Sequence, residues 1–132
     1  MPTFETHRAS ILEALDGTTS FPNGTALALG LSTTEPAVDA SNINEPAGAD
    51  GYAQQAITLG AVVPGTSSTP STRPNTNAML FGPASDDWGL MAWGVLYVDG
   101  VPRYYQALND SREVNTGDTF RVAVGAFNVG QE

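Results

Sequence analysis

The side chains of this sequence that could take part in acid–base or metal chemistry are mostly carboxylates. Many of them lie between residues 34 and 51, an irregular stretch interrupted by Glu35-Pro36 and Glu45-Pro46. A calcium site is one interpretation, but an EF-hand register starting at Asp39 places Ile43 at a ligand position. A solvated surface loop explains the stretch better, so we predict no metal site. The oxygen-bearing side chains of this loop are Asp39, Ser41, Asn42, Asn44, Glu45 and Asp50.

Two further pairs of carboxylates could be imagined as catalytic groups. Asp86 and Asp87 are adjacent, and adjacent residues of a strand point to opposite faces, so turn chemistry explains them more simply. Asp110 and Glu113 are the pair that an enzyme acting on glycans would need. A loop hairpin, however, gives neither carboxyl an environment suited to acid–base catalysis. We therefore predict that the protein is not an enzyme.

The composition excludes most other chemistry. Cysteine is absent and His7 is the only histidine, which rules out disulfides, thiol nucleophiles and zinc sites built from cysteine or several histidines. Fourteen acidic and five basic residues give a formal net charge of −9, which disfavours nucleic acid and anionic membranes as partners. The longest apolar run, Leu90 to Val98, is too short to span a bilayer, and residues 1–20 lack the pattern of a targeting segment. We expect no cofactor.

One amphipathic helix is predicted at the N-terminus, over about residues 4–16. Thr3 can cap its start and Gly17 can end it. Its apolar stripe consists of Phe4, Ile11, Leu12 and Leu15. The stripe either packs on the body of the domain or docks on a neighbouring subunit. We expect His7 to be solvated or packed at an edge, because no partner for a ligand or a base is close in sequence.

The rest of the chain, about residues 25–130, is predicted to form a β body within a single domain of residues 1–132. Asp99-Gly100 predicts a type I′ hairpin turn, and the prolines of residues 64–74 predict an extended or flexible link. Alternating apolar residues predict strands at 25–33, 52–59, 78–81, 90–98, 103–108 and 119–129. We therefore predict a mainly β fold, an antiparallel β-sandwich or small barrel with one N-terminal α-helix.

Aromatic residues in and near the hairpin allow two interpretations. Tyr104 and Tyr105, with Trp88, Trp93 and Tyr97, could form a surface that binds a carbohydrate or a peptide. Alternate residues on paired strands point to opposite faces, so some of these rings must lie in the core. Core packing is the favoured interpretation, and Tyr104 and Tyr105 are the candidates for a ligand surface.

Short motifs run through nearly the whole chain in a distinctive order. The N-terminal half contains Leu15-Asp16-Gly17, LALGLSTTEP from Leu27 to Pro36, Glu45-Pro46 and Gly51-Tyr52-Ala53. The C-terminal half contains Asp87-Trp88-Gly89, Trp93-Gly94-Val95-Leu96-Tyr97, Tyr105-Gln106-Ala107-Leu108 and VNTGDTFR from Val114 to Arg121. In this order the motifs resemble those of a family of small tailed-bacteriophage virion proteins. One departure is Gln54, where we expect an arginine; if that arginine pairs with an acidic loop residue, the pairing is missing here.

The resemblance implies a structural component of a phage particle, either of tail-fibre type or a head decoration protein. We predict a capsid decoration (cement) protein that stabilises the head, with a trimer favoured. The alternative is a tail-fibre or tail-associated module that binds a receptor or a carbohydrate. The expected partners are the major capsid protein or other virion proteins, and the expected location is the virion after synthesis in the host cytoplasm.

Predicted contacts with the capsid or a neighbouring subunit come mainly from the segments that a β-sandwich explains least, the helix and the acidic loop. They are Phe4, Arg8, Ile11, Leu12, Leu15, Glu35, Asp39, Glu45 and Arg103. Copies with a charge of −9 repel each other, so we expect apolar contacts to hold the assembly, with Arg8 and Arg103 against carboxylates of the neighbour. Added salt should therefore preserve or tighten association.

Overall fold

The protein is mainly β, in a computed structural model that describes residues 4–15, 26–67 and 71–130. The helix α1 (Glu5–Ala14) precedes the strands, and a 3₁₀ turn (Gly48–Asp50) lies in the acidic loop. The strands are β1 (Leu27–Ser32), β2 (Gln55–Ala56), β3 (Thr72–Pro74), β4 (Met79–Phe81), β5 (Gly89–Val98), β6 (Val101–Val114), β7 (Phe120–Val122) and β8 (Asn128–Gly130). The predicted mainly β fold with an N-terminal helix is confirmed.

The main sheet has the strand order β2-β1-β5-β6, and each neighbouring pair is antiparallel. The β5–β6 hairpin turns at Asp99 and Gly100, whose φ angles of 51° and 83° are the positive values that a type I′ turn requires. The predicted hairpin is therefore confirmed. Two smaller sheets, β3–β8 and β4–β7, complete the described β structure, and these sheets do not close into a barrel.

Strand β5 of the main sheet contributes residues to a core on each face, although its Leu90 is exposed. Leu29 and Leu31 of β1 belong to the main core, together with the inward residues of β4 and β7. Ala28 and Gly30 of β1 lie on the opposite face, which Phe4, just before α1, and the acidic loop cover. The second, smaller core on that face contains Phe4, Val95, Tyr97 and Tyr105, with Ala28, Ala40, Ile43 and Trp93 packed against it. Large and small side chains alternating along β1 thus separate two layers.

Some strand boundaries differ from the prediction. The strand expected at 52–59 is reduced to β2, because Tyr52 turns its hydroxyl to the backbone of β1 instead of extending the ladder. Strand β6 continues past residue 108, and its register against β5 shifts between Met91 and Trp93. This irregularity explains why Met91 lies in the main core while Trp93 packs on the other face, although simple alternation groups them together.

The strand expected at 119–129 is divided into β7 and β8 by the buried side chain of Asn75. The Asn75 Nδ2 donates to the carbonyl of Ala123 at 3.1 Å, and its Oδ1 accepts the N–H of Phe127 at 2.9 Å. An amide inserted between backbone groups in this way replaces ladder hydrogen bonds with a local turn. The apolar alternation of the segment does not reveal it.

The link predicted at 64–74 ends in β3, and hydrogen bonds hold both of its ends. Val63 and Thr72 exchange backbone hydrogen bonds of 2.7 and 3.0 Å, and the Arg73 side chain donates to the carbonyl of Gly60 at 2.7 Å. The predicted cap at Thr3, the stop at Gly17 and the turn of residues 21–24 lie outside the described residues.

Candidate functional site

The acidic loop is attached to the main sheet by one carboxylate, that of Glu45. The hydroxyls of Tyr52 and Tyr97 both donate to it, Tyr97 at 2.8 Å. The Tyr52 hydroxyl also accepts the backbone N–H of Leu31 in β1 at 2.9 Å. The amide of Gln54 donates to both carboxylate oxygens at 3.2 Å. Glu45, Tyr52, Gln54 and Tyr97 are called the Glu45 cluster below.

Gly30 gives the Glu45 cluster its place on β1. A Cβ atom at position 30 would lie 2.3 Å from Oε1 of Glu45 and 3.0 Å from Cε1 of Tyr97. A side chain at this position would therefore displace the carboxylate from the strand. The small face of this strand thus accepts a closely packed layer.

The Glu45 cluster is suited to holding the loop, not to acid–base catalysis. Burial and the hydrogen bond to Glu45 raise the pKa of Tyr52 far above its usual value, and the same causes raise the pKa of Tyr97. Both phenols therefore stay protonated at neutral pH and serve as hydrogen-bond donors. Tyr52 and Tyr97 did not stand out in the sequence as partners of Glu45, although a lone glycine in the alternating strand at position 30 is a signal of close approach.

Gln54, which stands where we expected an arginine, forms hydrogen bonds with Glu45 of the acidic loop. We expected that, without an arginine, a pairing with the loop would be missing, yet the neutral Gln54 amide reaches both oxygens of Glu45. The residue at position 54 therefore contacts the loop through a neutral amide, while the pairing expected for an arginine stays a prediction.

The other polar side chains of the acidic loop bond mainly within the loop. Asn42 accepts the N–H of Ala37 and donates to the carbonyl of Glu35 at 2.8 Å, while Asp39 accepts the N–H of Ser41 at 3.0 Å. These are turn-forming contacts that hold an irregular backbone. Within the described ranges, no group of three or more acidic or histidine side chains is placed to hold a metal ion.

Helix α1 is attached to the same face of the sheet by its first turn. Phe4 is 1% exposed, and its ring centroid lies 5.0 Å from that of Tyr105. The N–H of Phe4 donates to the carbonyl of Arg103 at 3.1 Å, and the N–H of Glu5 donates to the carbonyl of Val38 at 3.0 Å. The start of the helix therefore connects strand β6 with the acidic loop.

His7 adds a buried polar contact to this attachment. It is 5% exposed, its Nε2 lies 2.8 Å from the Tyr104 hydroxyl, and the two rings meet edge to face at 4.7 Å. Its Nδ1 is buried without a hydrogen-bond partner in the described part of the chain. Burial, and then the nearby Arg103 guanidinium, lower the pKa of His7. The solvated alternative for His7 is therefore wrong, and the partner that the sequence did not reveal is 97 positions away.

The far end of α1 points away from the body of the domain. Leu12 is 66% exposed and Leu15 is 78% exposed, while Ile11 is half-buried. The predicted apolar stripe is thus divided: its first residue packs in the second core, and its last residues face solvent. Packing on the domain therefore does not hold for this end of the helix, and its docking on a neighbouring subunit stays a prediction.

The remaining predicted contact residues have different surroundings. Arg8 is exposed and lies 3.8 Å from Glu5, and Glu35 and Asp39 are exposed on the loop. Glu45 is half-buried in its cluster and Arg103 is half-buried beside His7, so both serve contacts within the chain. The role of each residue in binding a partner stays a prediction.

The aromatic residues of the hairpin lie mostly in the interior. Tyr105 is 6% exposed against Phe4, and Tyr104 is half-buried with its hydroxyl beside His7. Trp88 is buried, and its Nε1 donates to the carbonyl of Asp50 at 2.9 Å. The favoured core-packing interpretation agrees with this placement, whereas an open stacking surface on Tyr104 and Tyr105 does not.

The paired carboxylates do not form a catalytic site. Asp87 accepts the backbone N–H and the hydroxyl of Thr116 at 2.8 and 3.0 Å, which joins two turns, as the turn interpretation expects. Asp110 and Glu113 are both exposed on β6. In the described segments, no helix has the length and apolar character needed to cross a membrane.

The ionisable groups described above therefore act mainly on the chain itself. Glu45 holds a loop, His7 holds a helix and Asp87 joins two turns. Such an arrangement is typical of a structural or binding protein.

The family comparison identifies the kind of structural protein. Residues 3–130 match the model of the Gp80 family, described as podophage GP4 fiber I protein gp80. The chain belongs to this family, and the resemblance to tailed-phage virion proteins is confirmed. A search of curated proteins finds no match. The chain is thus a phage structural protein, and the family description fits the tail-fibre alternative better than capsid decoration.

Proposed function

We propose that this chain is a fibre module of a tailed-phage particle that contacts neighbouring virion proteins through the end of α1. The family match over residues 3–130 carries the proposal, because its description names a fibre protein. Leu12 and Leu15 supply exposed apolar surface for a protein partner. The net charge of −9 makes a protein a better partner than nucleic acid.

This proposal replaces the expectation that the chain is a capsid decoration protein. The family description refers to a fibre and contains no reference to the head. Other virion proteins at the tail therefore take the place of the major capsid protein as the favoured partner. A homo-oligomer, with a trimer favoured, stays a prediction, as does synthesis in the host cytoplasm before assembly.

Labelling of intact phage particles tests the proposed position. Antibodies against the purified chain, carrying gold particles, are applied to whole phage and observed by electron microscopy. We expect gold at tail-associated fibres and an unlabelled head. Labelling spread over the head in a lattice pattern would instead restore capsid decoration, and particles produced without this chain serve as the control for antibody specificity.

A further inference from the structure

His7 occupies a position where a neutral ring is accommodated and a charged ring is not. Its Nε2 has a partner in the Tyr104 hydroxyl at 2.8 Å, but its Nδ1 is buried without one among the described residues. We propose that His7 makes the docking of α1 onto the sheet dependent on pH, with the helix docked when His7 is neutral and released when it is protonated.

The geometry opposes a proton on His7 whichever nitrogen carries the hydrogen in the neutral ring. A neutral imidazole has one donor and one acceptor, so Tyr104 satisfies Nε2 in either tautomer and leaves a neutral Nδ1. A protonated ring has two donors, and the one at Nδ1 becomes part of a buried cation with no described acceptor. Leaving such a group unsatisfied in the interior is far more costly than leaving a neutral nitrogen unsatisfied.

Of the charged groups on the elements around His7, the Arg103 guanidinium reinforces this preference, whereas the carboxylates are exposed. Strand β6 contributes the Arg103 guanidinium, which repels a second positive charge, and the Tyr104 hydroxyl, whose pKa burial raises. On the helix, Glu5 and Arg8 lie 3.8 Å apart and exposed. The acidic loop contributes Asp39, an exposed carboxylate that accepts a hydrogen bond from Ser41.

The expected direction follows from the lowered pKa of His7. An unfolded or undocked His7 binds a proton near the ordinary value of 6.5, whereas the docked residue binds it only at lower pH. The docking free energy contributed by His7 is therefore fully present above 6.5 and is lost as pH falls toward the docked pKa. The backbone bonds of Phe4 to Arg103 and of Glu5 to Val38 do not involve the His7 ring, so the proposed release concerns the packing of His7 and the helix that follows it.

A single-histidine chain makes the test direct. His7 is the only histidine, so one imidazole signal in a proton NMR titration reports it alone. We expect a midpoint below 6.5, together with at least about a threefold loss of amide exchange protection in α1 between about pH 7.5 and pH 5, corrected for the intrinsic exchange rate. Amides of β5 should keep their protection. A midpoint at or above 6.5, or unchanged protection in α1, would overturn the proposal.

A matched variant separates the effect of protonating His7 from the effect of protonating carboxylates, which occurs at lower pH. In His7→Gln the side-chain amide can still bond the Tyr104 hydroxyl but cannot be protonated, so the pH dependence of α1 exchange should disappear. The same loss of protection in this variant would contradict the proposal. If His7→Gln leaves α1 undocked even at about pH 7.5, the unchanged chain decides: the pH at which half of the α1 protection is lost should coincide with the midpoint of the His7 imidazole signal. A loss of protection centred away from that midpoint would contradict the proposal.

Discussion

The acidic loop and the start of helix α1 both pack against the main sheet, but they are held in opposite ways. The loop has no regular pattern, yet the Glu45 cluster and the bonds of Asn42 fix it at several points. The helix has a regular apolar stripe, yet among its residues with a described burial, Phe4 and His7 near its start are buried and Leu12 and Leu15 are not. Periodicity in a sequence therefore predicts that a helix forms, not how much of it the domain covers.

The difference also indicates which segment can serve a partner. A loop whose polar groups are already bonded to the chain has few groups left for another protein to use. A short helix attached at one end keeps exposed apolar side chains at the other. We therefore expect substitutions in the Glu45 cluster to change stability and substitutions at the end of α1 to change assembly.

The largest effect on stability is expected for Phe4→Ala. The Phe4 ring is fully buried against Tyr105, and its removal leaves a cavity beneath the start of the helix, so the free energy of unfolding should fall by about 3 kcal/mol. Urea unfolding followed by circular dichroism measures it. In the matched control, Leu15→Ala, a residue at the exposed end of the helix should cost less than about 0.5 kcal/mol. Equal costs at the two positions would mean that the helix is held along its whole length.

A smaller loss is expected for Glu45→Ala in the acidic loop. Two tyrosine hydroxyls and the Gln54 amide lose their acceptor, so the free energy of unfolding should fall by about 2 kcal/mol. The control is Glu35→Ala, which removes an exposed carboxylate of the same loop and should cost less than about 0.5 kcal/mol. If Glu45→Ala behaves like its control, the cluster does not hold the loop.

The smallest change in stability is expected for the double variant Leu12→Ala and Leu15→Ala. Both side chains are exposed and alanine favours helix, so unfolding should shift by less than about 0.5 kcal/mol. Incorporation into phage particles, measured by immunoblotting of purified virions, should nevertheless fall strongly. Val124→Ala, at an exposed valine outside the helix, should be incorporated normally. Normal incorporation of the double variant would exclude this end of α1 as the contact surface.

Local patterns predicted the parts of the fold that depend on neighbouring residues. The Asp99-Gly100 turn forms as expected because both residues can adopt positive φ, and β1 presents large and small faces because side chains alternate along a strand. Sequence patterns predicted the wrong strand boundaries where a side chain that is distant in sequence bonds the backbone, as Asn75 does between β7 and β8. Alternation through residues 119–129 contains no sign of that amide.

The sequence by itself determined the class of this protein: a mainly β, acidic chain without cysteine, and a motif order typical of a phage virion family. The tertiary structure alone decided how its few polar groups are used. Glu45 meets Tyr97 across 52 positions, and His7 meets Tyr104 across 97. Turns and alternation follow from the backbone geometry of neighbouring residues, whereas these contacts depend on how β1, β5 and β6 assemble and on the space that Gly30 leaves between them.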